Sequence, residues 1–93
     1  MKPAILSPAF RKTLRAYAKE VRAEAGYAIS QVQEHFGEPH RRSGLGIRNL
    51  PGNYYEVRVH LDIRLLFRDT PAGLVFEFVG NHDEVRRFIK ART

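Results

Sequence analysis

The spacing of the apolar residues changes once along the chain, and this change restricts the possible folds more than any other feature. Between Phe10 and Phe36 these residues recur at steps of three and four, which is the spacing of one helix face. From Ile47 onward the step is two, and the residues are mostly β-branched or aromatic, as in strands. The sequence therefore predicts a helical N-terminal part followed by a β-sheet.

The helical stripe is too long for a single helix in a chain of 93 residues. Residues 8 to 36 would form a rod of about 43 Å at about 1.5 Å per residue, whereas a compact domain of this size has a radius of gyration of about 12 Å. We expect two helices folded against each other. The break lies either between Tyr17 and Lys19, which we prefer, or at Gly26, because glycine is unfavourable inside a helix.

The ends of this helical part carry their own signals. Ser7 can accept a hydrogen bond from the first free amides, and Pro8 at the first helical position loses no donor that the helix needs. Gly37 is the predicted end of the second helix. The following stretch GEPHRRSGLG, residues 37 to 46, is predicted to be a basic loop.

Three later segments have the composition of strands: YYEVRV from Tyr54, IRLLF from Ile63 and LVFEFV from Leu74. The turns between them, at residues 60–62 and 70–73, are short, so neighbouring strands must run antiparallel. The segment DEVRRFIKAR then has helical spacing, with acids first and bases last, as a helix dipole favours.

We therefore predict one α+β domain over residues 1–93, in which an N-terminal helical hairpin packs on a small antiparallel sheet and a short helix ends the chain. Residues 2 to 6 can add a short edge strand. No apolar run has the length of a signal peptide or a membrane span. We expect a cytoplasmic protein without a membrane partner.

Apolar residues should pair with apolar residues across the first hairpin, which fixes its register. This pairs Val59 with Ile63 and puts Arg58 opposite Arg64 on the other face. Helices are expected to cover the apolar face and to leave the arginine-bearing face open to a ligand.

In the second hairpin the same rule pairs Phe67 with Phe76 and Leu65 with Phe78. Strict alternation beyond Phe78 points His82 toward the core. A functional role for His82 therefore requires the strand to lose its regularity after Gly80.

These registers bring chemically useful side chains to one edge of the sheet. His60 and Asp62 lie in the first turn and His82 follows the last strand, while Arg58 and Arg64 lie one row in. Such a set suits RNA cleavage by attack of a ribose 2′-hydroxyl on its own phosphate, which needs a base, an acid and cationic donors but no metal. Histidine can transfer protons near neutral pH, and arginine can bind two phosphate oxygens.

A structural interpretation of the same residues stays open. The arginines can pair with Glu56 or Glu77 on the strands, and a turn aspartate commonly bonds its own backbone. His82 can simply precede an N-cap formed by Asp83.

The charge balance points to a polyanionic partner. Sixteen Lys and Arg residues face ten Asp and Glu residues, a net charge of +6, which favours nucleic acid or an acidic protein. Basic helix faces that only keep the protein soluble are the alternative. The candidate RNA contacts are Arg41, Arg42, Arg48, Arg58 and, for stacking on a base, Tyr54.

Metal and cofactor chemistry find no support in the sequence. Cysteine is absent, and the four histidines show no HExxH or other zinc-ligand spacing. The stretch Gly44-Leu45-Gly46 is too short for a phosphate-binding loop. We expect neither a metal nor a cofactor.

The stretches LGIRNLPGNYYEVRVHLDIRLLFR and LVFEFVGNHDEVRRFIK together resemble the RelE/ParE superfamily of bacterial toxins from toxin-antitoxin systems. Members of that superfamily typically show a K-x-L-x-G…Y-x-x-R…R-x-x-Y/F-R run, an apolar strand and a Gly-x-His segment before a final helix. The resemblance covers roughly residues 45 to 90. It implies a helical hairpin on an antiparallel sheet and, for the RelE branch, ribosome-dependent cleavage of messenger RNA without a metal, controlled by a cognate antitoxin.

The resemblance also implies roles for single residues. Arg64 resembles the phosphate-stabilising arginine of the family, and His82 matches a C-terminal histidine used as acid or base. Asp62 resembles an aspartate of some members, and Arg58 resembles a sheet arginine that can be structural. Some members carry a glutamate base in the loop before the first long strand, whereas this loop, SGLGIRNL, offers none, and the chain has no tyrosine after Tyr55. His82 and His60 are therefore expected to transfer the protons.

Two other functions stay open at this point. The ParE branch of the same fold poisons DNA gyrase by binding and has no known hydrolytic site. A basic module that binds RNA or a protein without catalysis would also fit the charge.

Overall fold

The helical part of the chain is split where the stripe of apolar residues restarts. A computed structural model of the protein describes residues 2–37 and 45–92. Helix α1 covers Pro8–Arg15 and helix α2 covers Lys19–His35, so the preferred break is confirmed and Gly26 lies inside α2. Ser7 caps α1, because its hydroxyl accepts a hydrogen bond from the backbone amide of Phe10 at 3.1 Å.

The described residues form a sheet of five strands. They are β1 (Ala4–Leu6), β2 (Ile47–Leu50), β3 (Tyr54–Val59), β4 (Ile63–Thr70) and β5 (Gly73–Gly80), in the spatial order β1-β5-β4-β3-β2. The predicted edge strand is present as β1, but it runs parallel to β5, so the sheet is antiparallel only from β5 to β2. Strand β2 was not predicted, and the basic loop predicted before it lies mostly outside the described residues.

The two hairpins differ in how well alternation predicts them. Val59 pairs with Ile63 and Arg58 pairs with Arg64, as predicted. Phe67 pairs with Phe76, also as predicted, but Leu65 pairs with Val79 and not with Phe78. The register shifts because β5 bulges at Glu77, and a bulge puts one extra residue on one strand.

One face of the sheet packs against the helical hairpin and forms the larger core. There, buried side chains of α1, α2 and three strands form one continuous cluster of contacts. Phe10 of α1 and Val32 of α2 are fully buried. The strands contribute Val57, Val59, Leu65, Phe67, Leu74, Phe76 and Val79.

The opposite face was predicted to be open, and this prediction is wrong over much of its area. Helix α3, which covers His82–Arg92, packs Val85 and Ile89 on Leu66 of β4 and Tyr54 of β3. The bulge contributes to this second core, because it turns Phe78 toward α3. There the Phe78 ring stacks on the Phe88 ring, with 4.6 Å between the ring centroids. The sheet is therefore covered on both faces.

Within residues 2–37 and 45–92, no helix has both the length and the apolar character needed to cross a membrane.

Candidate active site

The start of α3 places His82 at the surface. Asn81 is the N-cap, because its side-chain oxygen accepts from the amide of Glu84 at 2.9 Å, while the Glu84 carboxylate accepts from the amide of Asn81 at 2.8 Å. This reciprocal arrangement is a capping box. The prediction that Asp83 caps the helix is wrong. His82 is the first helical residue and is exposed, so it does not point into the hairpin core.

A cleft of about 700 Å³ lies between α3 and the β2–β3 edge of the sheet, and His82 is on its wall. Its apolar floor includes Leu50, Val85 and Ile89. Its charged walls carry Arg48, Glu56, Asp83, Arg86, Arg87 and Lys90. Four cationic side chains against two carboxylates make the cleft suitable for a phosphate-bearing chain.

Arg64, the predicted phosphate ligand, is held in place by two carboxylates. Its Nη1 donates to Oδ1 of Asp62 at 2.7 Å, and its Nε donates to Oε2 of Glu56 at 3.3 Å. The residue is 8% exposed. The hydrogen bond to Asp62 is the main cause that raises the pKa of Arg64 above its usual value, against the opposing effect of burial. Arg64 is not among the described residues that line the cleft.

Glu56 connects this buried arginine to the cleft. Register puts Glu56 directly opposite Arg48 on β2, and their Oε2 and Nη1 atoms are 3.8 Å apart. The Glu56 side chain is 4% exposed, whereas the Arg48 side chain is 65% exposed and reaches the cleft. The structural alternative, in which the strand arginines pair with Glu56 and Glu77, is correct for Arg64, and Arg68 pairs with Glu77.

His60 lies against α2 and does not line the cleft that contains His82. Its Nδ1 is 2.8 Å from Oε1 of Glu24, and its backbone amide donates to Oε2 of Glu24 at 2.9 Å. Because an ionised carboxylate only accepts, Nδ1 carries the proton in this contact. The hydrogen bond from His60 is also the main cause that lowers the pKa of Glu24. His60 and His82 lie at the same edge of the sheet, but they do not form one site.

The remaining predicted RNA contacts have different positions. Tyr54 is 7% exposed and packs edge-to-face on Phe88, so burial under α3 prevents its ring from stacking on a base. Arg58 is exposed and lines a second cleft beside His60 and α2. Arg41 and Arg42 lie outside the described residues.

Two features of the candidate site were missed by sequence reasoning. Glu56 was considered only as a structural partner, although it lines the cleft as well. Asn81 was overlooked as the cap, although Asn-x-x-Glu over residues 81–84 is the spacing of a capping box. Across the described ranges, 2–37 and 45–92, no cluster of three histidine or carboxylate side chains could hold a metal ion.

Sequence comparisons identify no relative of this chain. No protein-family model matches it, and no curated protein does. Solved structures do match. A chain of the RelB–RelE antitoxin–toxin complex from Methanococcus jannaschii has a TM-score of 0.69 at 19% identity, covering 90% of this chain and 96% of that one.

Two further structures agree with the first. A chain of the YoeB–YefM complex from Staphylococcus aureus has a TM-score of 0.65 at 17% identity, covering 88% of this chain and 98% of that one. A chain of the toxin–antitoxin complex RelBE2 from Mycobacterium tuberculosis has a TM-score of 0.55 at 17% identity, covering 87% and 98%. This chain has a RelE-like fold. At such low identity the likeness establishes the fold and leaves the chemistry to the residues of this chain.

Proposed function

We propose that this protein is a toxin of the RelE kind, a metal-independent endoribonuclease that cleaves messenger RNA on the ribosome and is neutralised by a cognate antitoxin. The observation that carries the proposal is the position of His82, exposed at the start of α3 on the wall of a cleft with four cationic side chains. The RelE-like fold, found in three toxin–antitoxin complexes, supports the same class.

The proposed chemistry is attack of a ribose 2′-hydroxyl on the adjacent phosphorus. The P–O5′ bond breaks, a 2′,3′-cyclic phosphate forms, and the leaving 5′-oxygen takes a proton from protonated His82. Cationic side chains of the cleft balance the charge that develops on the phosphate oxygens. The proton of the 2′-hydroxyl passes to solvent or to a group of the ribosome, which also positions the message and so supplies part of the catalysis.

The decisive test is inducible expression followed by mapping of message 5′ ends on translating ribosomes. We expect new 5′ ends within translated regions, and a loss of cleavage of about 100-fold or more in His82→Ala. His60→Ala is the matched control, because it removes the same side chain from outside the cleft and should leave most of the activity. Growth arrest with intact messages would contradict the nuclease proposal, and arrest with gyrase-linked DNA breaks would favour the gyrase-poison alternative.

The antitoxin part of the proposal has a separate test. The basic cleft would accept an acidic antitoxin segment, which blocks the same side chains that bind the message. Co-expression of the protein encoded by an adjacent short gene should restore growth, and the two proteins should copurify. A neighbouring product that neither binds nor restores growth would argue against this partner.

A further inference from the structure

Arg64 forms hydrogen bonds with two carboxylates, but Arg48 is the arginine that lines the cleft. Arg64 is 8% exposed and bonds both Asp62 and Glu56, whereas the side chain of Arg48 is 65% exposed and lines the cleft beside His82. A phosphate in the cleft can therefore reach Arg48 without breaking a buried ion pair. To reach Arg64 it would have to displace a carboxylate.

Glu56 is the link between these two cations. A single oxygen, Oε2, accepts from Nε of Arg64 at 3.3 Å and lies 3.8 Å from Nη1 of Arg48. The partners come from three neighbouring strands, and the register sets Glu56 directly across from Arg48. Because β2 and β3 are hydrogen-bonded along this row, the distance between the two side chains is set by the sheet and not by a loop.

We propose that Glu56 is a positioning residue that holds Arg48 toward the cleft as the cation that contacts the substrate phosphate, while Arg64 and Asp62 hold Glu56. This rests on the proposed nuclease function and reassigns the phosphate contact from Arg64, where the sequence resemblance implied it, to Arg48. Arg64 then acts on the substrate only through two intervening residues, Glu56 and Arg48. Arg48 receives an orientation that an exposed arginine on a four-residue strand would otherwise lack.

A double-mutant cycle on cleavage tests whether Glu56 acts through Arg48. On programmed ribosomes at saturating protein, Arg48→Ala should lower the cleavage rate by about 100-fold, and Glu56→Gln by about 10- to 100-fold. Combined with Arg48→Ala, Glu56→Gln should cost less than about threefold more, because its partner is already gone. If the two losses multiply, the inference is overturned.

A binding measurement separates positioning from a purely structural role. The probe is a single-stranded RNA of about ten nucleotides with 2′-O-methyl groups, which cannot undergo 2′-hydroxyl attack. Arg48→Ala should reduce the slope of log affinity against log salt by about 0.7, the loss of one phosphate contact. Glu56→Gln should bind at least as tightly as the wild type, since a negative charge leaves the cleft, although it cleaves more slowly. Weaker binding together with a lower melting temperature would indicate a structural role and overturn the proposal.

The controls keep this inference distinct from the proposed function. Arg15→Ala removes one exposed positive charge from α1, away from the cleft, and should keep the wild-type slope and rate. Arg48→Lys should retain more cleavage than Arg48→Ala, and it tests the phosphate contact even if Glu56 variants do not fold. Active wild-type protein with Arg48→Ala equal to Arg15→Ala would refute only this inference. Wild-type protein that neither binds nor cleaves RNA would refute the proposed function and this inference together.

Discussion

Asn81 and Glu84 each accept a hydrogen bond from the other's backbone amide, and this exchange fixes the point at which the chain leaves β5 and begins α3. His82 lies between the two residues. The orientation of the proposed proton donor therefore depends on a helix cap formed by side chains that need not contact a substrate.

Loss of the cap should be measurable as stability. We expect Asn81→Ala to lower the free energy of unfolding by about 1 kcal/mol in a urea titration, because the amide of Glu84 loses its side-chain acceptor. Asp83→Ala is the matched control and should cost no more than about 0.5 kcal/mol, since it loses only a surface interaction with the helix dipole. A larger loss for Asp83→Ala would mean that the cap is misassigned.

The same junction leaves no room for a side chain at Gly80. A Cβ there would lie 2.8 Å from Cε2 of Phe78 and 3.0 Å from Oε1 of Glu84. The Phe78 ring cannot give way freely, because it stacks on Phe88. We expect Gly80→Ala to destabilise the fold by about 1–3 kcal/mol.

The same substitution at Gly26 should have the opposite effect on the free energy of unfolding. A Cβ at this position inside α2 meets nothing within 4 Å. Gly26→Ala should therefore stabilise the protein by about 0.5–1 kcal/mol, because alanine restricts the unfolded chain and favours the helix. Equal effects at the two glycines would contradict the packing described for the start of α3.

Removal of Arg64 should destabilise the fold far more than removal of Arg48. Arg64→Ala leaves Glu56, which is 3% exposed, without its hydrogen-bonded cation. Breaking a buried ion pair in this way typically costs about 3–5 kcal/mol. Arg48→Ala removes an exposed partner and should cost about 1 kcal/mol or less. Similar losses of the two variants in denaturant titrations would argue against the burial of Arg64.

The contact between His60 and Glu24 should make stability depend on pH in the acid range. The folded pKa of Glu24 lies below its ordinary value of 4.5. The stabilisation is therefore present above pH 4.5 and is lost as the pH falls through the lower folded pKa. We expect the melting temperatures of the wild type and Glu24→Gln to differ above pH 4.5 and to converge below it. In a His60→Ala background this difference should shrink, because only the backbone amide of residue 60 still donates to Glu24, and an unchanged difference would assign the shift to another contact.

The parts of the fold that the sequence predicted are those where the spacing of apolar and charged residues is clear. The β3–β4 register could be predicted because Val57, Val59 and Leu65 alternate with charged or differently packed neighbours, and a one-residue slip would bury charge. The α1–α2 break could be predicted because a single helix would be longer than the domain.

The parts that were missed are those where this spacing is unclear. In β5 both sides are apolar, so alternation gives no sign of the bulge at Glu77 or of Phe78 turning toward α3. Strand β2 has only Ile47 and Leu50 as apolar residues, which is too few for a period of two. The candidate site was misjudged because α3 buries Tyr54 and because Arg64 forms an ion pair with Glu56.

The pairing of β1 with β5 has a consequence for how the protein is made. Ala4 is synthesised about 70 residues before Leu74, its partner in the sheet. Closing so long a loop is entropically costly, and such distant contacts form slowly. At translation rates of about 5–20 residues per second, the nascent chain carries an unpaired edge for several seconds. The cleft beside α3 is then assembled only after translation has passed β5, because His82 and three of the four cationic side chains, Arg86, Arg87 and Lys90, lie on α3.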